Sequence, residues 1–191
     1  MFIDSSSENK TLLYLKGVYY ESNKKYKEAL TWYEKSAQKG NSYALCNIGN
    51  LYKSGKGVDQ DYIKAFDFYK QSAEQGNAIA LYEIGNLYES GKGVEQDYSK
   101  AFYFYEKSAK KEFPEALLKV GILYESGKGV EQDYSKAFQY YNLASEKGNT
   151  DALINIGLIY FHGKLDRKNK CKAIEYFKRS AKEGNPEGFT N

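Results

Sequence analysis

Few side chains in this 191-residue chain could carry chemistry, and their spacing decides which chemistry is open to them. His162 is the single histidine, so a multi-histidine metal site cannot be built. It stands beside Gly163, which reads as a helix C-terminal residue before it reads as a general base. The Gly-Lys-Gly triplets at 55–57, 91–93 and 127–129 invite a phosphate reading. A phosphate loop, however, needs four residues between its first glycine and Gly-Lys-Ser/Thr, and that spacing is absent. Glu89 and Glu125 could be imagined as a carboxylate pair, yet helix layers stack about 10 Å apart, which leaves both in solvent. Cys46 and Cys171 are too few for a disulfide framework and too far apart in the chain's layers to pair, so two free thiols are expected. Neither a metal nor another cofactor is expected.

Composition narrows the class further. With 28 bases, 25 acids and 41% hydrophobic residues the chain has a formal charge of +3 and enough apolar mass for a core. It lacks an apolar run of about 18 residues, and Met1–Ser7 has neither a basic n-region nor an apolar h-region. A cytoplasmic protein without a membrane segment is the expectation. Charge is uneven: Gly163 to Lys182 holds eight bases and two acids, a net +6, leaving −3 for the rest. Lys164, Arg167, Lys168, Lys170 and Lys172 form its densest part. A basic end of this kind suits an acidic protein surface better than nucleic acid, because no base-reading element accompanies it.

The elements that must position these residues repeat. Leu87–Phe102 recurs unchanged at Leu123–Phe138, a shift of 36 residues, and the same shift relates Gly49, Gly85, Gly121 and Gly157. Most of the 20 tyrosines fall on it too, as in Tyr33, Tyr69, Tyr105 and Tyr141, so they read as repeated core. In each unit apolar or small residues such as Ala80, Leu81, Ile84, Leu87 and Tyr88 follow the i, i+3, i+4, i+7 rule of a first helix, capped by Asn77. Ser90-Gly91-Lys92-Gly93-Val94 stops it, and Asp97 caps a second helix with Ala101, Phe102, Phe104, Tyr105 and Ala109 inward. Small residues at Ala80, Gly85 and Ala101 let the two axes approach closely. Glu112-Phe113-Pro114 departs from the usual Gly-Asn junction, but proline suits a helix's first turn.

One such pair cannot bury its apolar face alone, so neighbours must stack. The expected fold is all-α, a right-handed α/α superhelical solenoid of tandem helix-turn-helix repeats, as one domain over 1–191. The repeats run at approximately 11–41, 42–77, 78–113, 114–149 and 150–185, with a short tail at 186–191. In the last, His162-Gly163-Lys164-Leu165 replaces the glycine turn, and its loop is not expected to match.

The pattern Ala44-x3-Ile48-Gly49-x2-Tyr52-x2-Gly55-x-Gly57-Val58-x2-Asp61-x2-Lys64-Ala65-x2-Phe68-Tyr69-x2-Ser72-Ala73-x2-Gly76 resembles the Sel1-like repeats, a branch of the tetratricopeptide-like solenoids. The resemblance covers about 42 to 185. It implies a non-enzymatic scaffold whose first helices line a concave wall that holds a protein or peptide, for instance as a bacterial adaptor or an immunity protein. The wall positions it assigns are Tyr43, Cys46 and Asn50, then Ile79, Tyr82, Asn86 and Glu89, then Leu118, Ile122 and Glu125, then Ile154, Leu158 and Phe161. They turn from polar to apolar toward the C-terminal half. A self-assembling structural protein is the second reading, a solenoid-based hydrolase the third, and the chain is expected to be a monomer or a weak end-to-end oligomer.

Overall fold

A computed structural model describes residues 9–165 and 167–184 of the protein. Met1–Ser7, Asp166 and the tail from 186 lie outside the described residues. The described residues form ten helices and no strand. They fall into two compact units, Met1–Gln96 and Asp97–Asn191.

In the first unit α1 (Lys10–Ser22) pairs with α2 (Tyr26–Gln38) and α3 (Ser42–Ser54) with α4 (Tyr62–Glu74), while α5 (Ala78–Ser90) packs on α4. In the second, α6 (Tyr98–Ala109) packs on α7 (Pro114–Ser126), α7 pairs with α8 (Tyr134–Glu146), and α9 (Asp151–His162) pairs with α10 (Lys170–Gly184). Odd-numbered helices are the first of each repeat and even-numbered ones the second.

Caps set the ends. Asn41 and Asn77 accept from the amides of α3 and α5, and Asp61, Asp97 and Asp133 do so for α4, α6 and α8, which supplies partners for first-turn N–H groups. Gly55, Gly91, Gly127 and Gly163 close the first helices in the left-handed region at φ near +70°. Gly163 keeps this role where the last loop begins. Glu112 adopts φ +61° where the other junctions carry Gly40, Gly76 and Gly148, and Phe113 gives α7 no side-chain cap. Pro114 at the first helical position needs no amide partner there.

The core repeats with the sequence. Tyr33, Tyr69, Tyr105 and Tyr141 are fully buried. Tyr33, Tyr69 and Tyr141 pack directly against Gly17, Gly49 and Gly121 of their own repeats. Ala29, Tyr33, Ala44, Ile48 and Leu51 make one cluster that joins the first repeat to the second. Ser36 and Ser72 hydroxyls donate to the carbonyls of Lys10 and Ser42 at 2.6 Å, tying each second helix to the start of its first.

A further fastening was not anticipated. The lysine of each glycine loop lies over the tyrosine that opens the preceding repeat's second helix: Lys56 over Tyr26, Lys92 over Tyr62 and Lys128 over Tyr98, at 5.1–5.4 Å. Such contacts contribute about 0.5–1 kcal/mol each at exposed sites. Gly57 and Gly93 allow this approach, because a Cβ there would stand 2.7 Å from Tyr26 and Tyr62.

Candidate partner-binding surface

In the first unit the expected wall is polar and much of it is engaged. Tyr43 is 56% exposed. Cys46 is 2% exposed, which corrects its assignment to a partner-facing wall: it is a core residue. Burial first, and then the Glu83 carboxylate, push its thiol up to about 12. Asn50 accepts from the Tyr69 hydroxyl at 2.7 Å. Lys53 pairs with Glu83 at 2.8 Å, linking α3 to α5. Together with Asn86 and Glu89 they line a cleft of about 600 Å³. Ile79 and Tyr82 are half-buried.

The two thiols give a direct check. Cys171 is exposed and Cys46 buried, and both are free. In the native protein a maleimide is expected to label Cys171 to completion while Cys46 stays unmodified until denaturant is added. Peptide mapping after labelling reads both sites.

In the second unit the same positions are apolar. Leu118 and Ile122 on α7 are half-buried, whereas Ile154, Leu158 and Phe161 on α9 are 43%, 37% and 43% exposed. Their i, i+4, i+7 spacing puts all three on one stripe. Glu125 is not the solvated acid its position suggested: it accepts from the Tyr141 hydroxyl at 2.6 Å. Burial and then Glu125 raise the Tyr141 pKa, so the hydroxyl keeps its proton and remains a donor. Exposed Glu115 and Asp151 stand in the first turns of α7 and α9, which share a cleft of about 280 Å³ at that end.

The basic stretch divides. Lys164 lies over the Tyr134 ring at 4.9 Å and donates to its hydroxyl at 3.2 Å, continuing the loop-lysine series. Lys172 lies over Tyr160 at 5.1 Å, as Lys64 does over Tyr52 and Lys136 over Tyr124. Lys164 therefore fastens the fifth repeat to the fourth, and Lys172 ties α10 to α9 within the fifth, while both remain exposed. Arg167, Lys168 and Lys170 are exposed. The signal for this was present in the sequence, since Lys56, Lys92, Lys128 and Lys164 obey the 36-residue shift.

Sequence reasoning also missed α1. Leu12, Leu15, Val18 and Tyr19 are 47%, 54%, 37% and 64% exposed along one side of it. Their spacing was readable, but a helix reads as amphipathic whether or not anything covers its apolar side. Among the described residues no helix is long and apolar enough to cross a membrane, and no three His, Cys, Asp or Glu side chains gather where they could hold a metal ion.

Comparison with known proteins places this architecture. Five consecutive matches to the Sel1 repeat cover residues 12–41, 42–77, 78–113, 114–149 and 150–185. No curated protein matches the chain. Among solved structures it is similar to a Sel1 repeat protein from Oxalobacter formigenes, with 34% identity and a TM-score of 0.84 over 88% of this chain and 69% of that one. It is also similar to c5321, a protective antigen of uropathogenic Escherichia coli displaying an SLR fold, with 28% identity, a TM-score of 0.61 and 94% of this chain covered. A third similar structure is the immunity protein Pa5087 from Pseudomonas aeruginosa, with 28% identity, a TM-score of 0.58 and 82% covered. The matches span 47% and 58% of those two proteins. Ten helices in tandem pairs, a 36-residue period and five consecutive repeat matches lead to one conclusion: the chain belongs to the Sel1 repeat family.

Proposed function

We propose that this protein is a non-enzymatic binding scaffold whose second unit seats a segment of another protein on the apolar face of α9, with α7 beside it. Sel1 repeat proteins generally mediate protein–protein interaction, and the single observation that carries the reading here is the exposure of Ile154, Leu158 and Phe161 in one stripe. Equivalent positions in the second repeat are Cys46, which is buried, and Asn50 and Lys53, which are hydrogen-bonded or ion-paired. The stripe is thus apolar surface that the fold's internal contacts do not consume, and such surface favours association.

A groove preformed on packed helices lowers the ordering cost of binding, because the receiving side chains are already held. The stripe supplies the apolar anchors and the exposed acids Glu115 and Asp151 supply a polar rim. The similarity to an immunity protein supports a protein as ligand and is compatible with an immunity or adaptor role.

Affinity capture from the source organism with the native chain and with an Ile154→Asp, Leu158→Asp variant tests the reading. Both sites are exposed, so the variant is expected to fold with an unchanged circular dichroism spectrum and to lose specific partners. An identical capture list from both proteins would reject the α9 face as the seat.

A further inference from the structure

The repeats carry their own template for what fits on α9 and α10. Within each unit, successive repeats meet through fixed positions. On the leading side, Ala44, Ile48 and Leu51 of α3 pack into the cluster with Ala29 and Tyr33 of α2. Tyr43 of α3 meets Tyr14 of α1 at 6.2 Å, and Glu83 of α5 meets Lys53 of α3. On the trailing side, Phe66, Phe102 and Phe138 of the second helices meet Tyr88, Tyr124 and Tyr160 of the next first helix, edge to face at 5.3–5.8 Å.

Two faces among the described residues present these positions uncovered, and both are apolar. Position for position, α10 carries Ile174 where α4, α6 and α8 carry the phenylalanine, and it is 52% exposed. On α9, Ile154 and Phe161 hold the places of Cys46 and Lys53, with Leu158 between them. On α1 the leading-side places of Ala44, Asn47 and Leu51 are held by Leu12, Leu15 and Tyr19. Of the thirteen large apolar side chains exposed among the described residues, seven belong to these two faces. That concentration is what an interface between repeats looks like when it is split between two molecules.

We propose that α9 and α10 of one copy receive α1 of a second copy, continuing the repeat-to-repeat interface from molecule to molecule. This rests on the reading that the α9 face is a docking surface, and names a second copy of the chain as its occupant. The contact is heterologous, one face meeting a different face, so each copy keeps a second face for a further copy and copies add in a row. Charge sets its strength. Lys16 on α1 holds the place of Ile48, and Lys178 on α10 the place of Glu34, two positions that line one cleft in the first unit. At the junction between copies two like charges therefore approach. Lys16 also lies 4.4 Å from the Trp32 ring, which holds its ammonium on α2 of its own molecule. Repulsion between the lysines weakens the row at low ionic strength, and salt screens it, so association strengthens as salt rises.

Sedimentation velocity of the full chain over a concentration series, at roughly 0.05 and 0.5 M salt, tests the proposal. The weight-average mass is expected to rise with concentration, and more steeply at the higher salt. Leu15→Asp and Leu158→Asp, both at exposed positions, are each expected to give a monomer with native circular dichroism. Mixing the two variants is the decisive arm. Each retains one intact face, so the mixture is expected to form a one-to-one dimer that grows no further. A native chain that stays monomeric at every concentration and salt overturns the proposal, as does a mixture that forms no dimer or association that survives both substitutions. The underlying reading fails separately. If the native chain is monomeric while Ile154→Asp, Leu158→Asp still loses captured partners, α9 binds something other than a second copy and only the present inference falls.

Discussion

Gly121→Val is expected to destabilise the second unit by about 3 kcal/mol, the large end of what overpacking a filled core costs. A Cβ at this position would stand 2.5 Å from Cε1 and 2.6 Å from Cδ1 of Tyr141, and 3.3 Å from the Ala137 carbonyl. The ring is fully buried, so it cannot swing outward as an exposed side-chain end would. Helix propensity acts the other way, since glycine in a helix interior is about 0.5–1 kcal/mol less favourable than alanine, and valine recovers part of that. The clash exceeds the gain because α7 and α8 approach through this position, and forcing them apart loosens Tyr141 and its neighbours together. Urea denaturation followed by circular dichroism measures the effect as a lowered midpoint. A midpoint equal to that of the native chain would mean that the close approach at Gly121 does not set the spacing of the pair.

That glycine was legible without coordinates, because its recurrence at 49, 85, 121 and 157 marked a place where something must come close. The caps were equally legible: Asp61, Asp97 and Asp133 sit where local hydrogen bonding alone dictates, and each accepts from the first turn behind it. Depth was harder to read. Cys46, Tyr82, Leu118 and Ile154 share one position and were read alike, yet Cys46 is buried, Tyr82 and Leu118 are half-buried and Ile154 is exposed. Side-chain length and whatever packs next to the helix decide this, and neither follows from periodicity. Lys164 shows the converse. It was grouped with the basic stretch because the composition there was conspicuous, while its membership of a repeated Lys–Tyr series was visible but unused.

The hydroxyl–carboxylate pair of Tyr141 and Glu125 yields the other large effect, and the chain already contains its control. Tyr33 donates to Glu21 at 2.5 Å and Tyr141 to Glu125 at 2.6 Å, with both acceptors at the same repeat position. In the second repeat that position is Lys53, which turns to Glu83, and Tyr69 donates to Asn50 instead. In the fifth repeat both partners change at once, to Phe177 and Phe161. Each of these buried hydroxyls has an acceptor, and where the hydroxyl is missing so is the carboxylate. Glu125→Phe alone is therefore expected to cost about 2 kcal/mol, since it strands a fully buried hydroxyl away from water. Tyr141→Phe alone should cost about 1 kcal/mol, because the half-buried Glu125 can still reach solvent. The double variant reproduces the fifth repeat and should recover most of the loss, giving a coupling of about 1–2 kcal/mol in a double-mutant cycle. Glu125→Gln keeps an acceptor and should change stability little. If the two single losses simply add in the double variant, the pairing carries no stability of its own, and the matched change at Phe161 and Phe177 needs another cause.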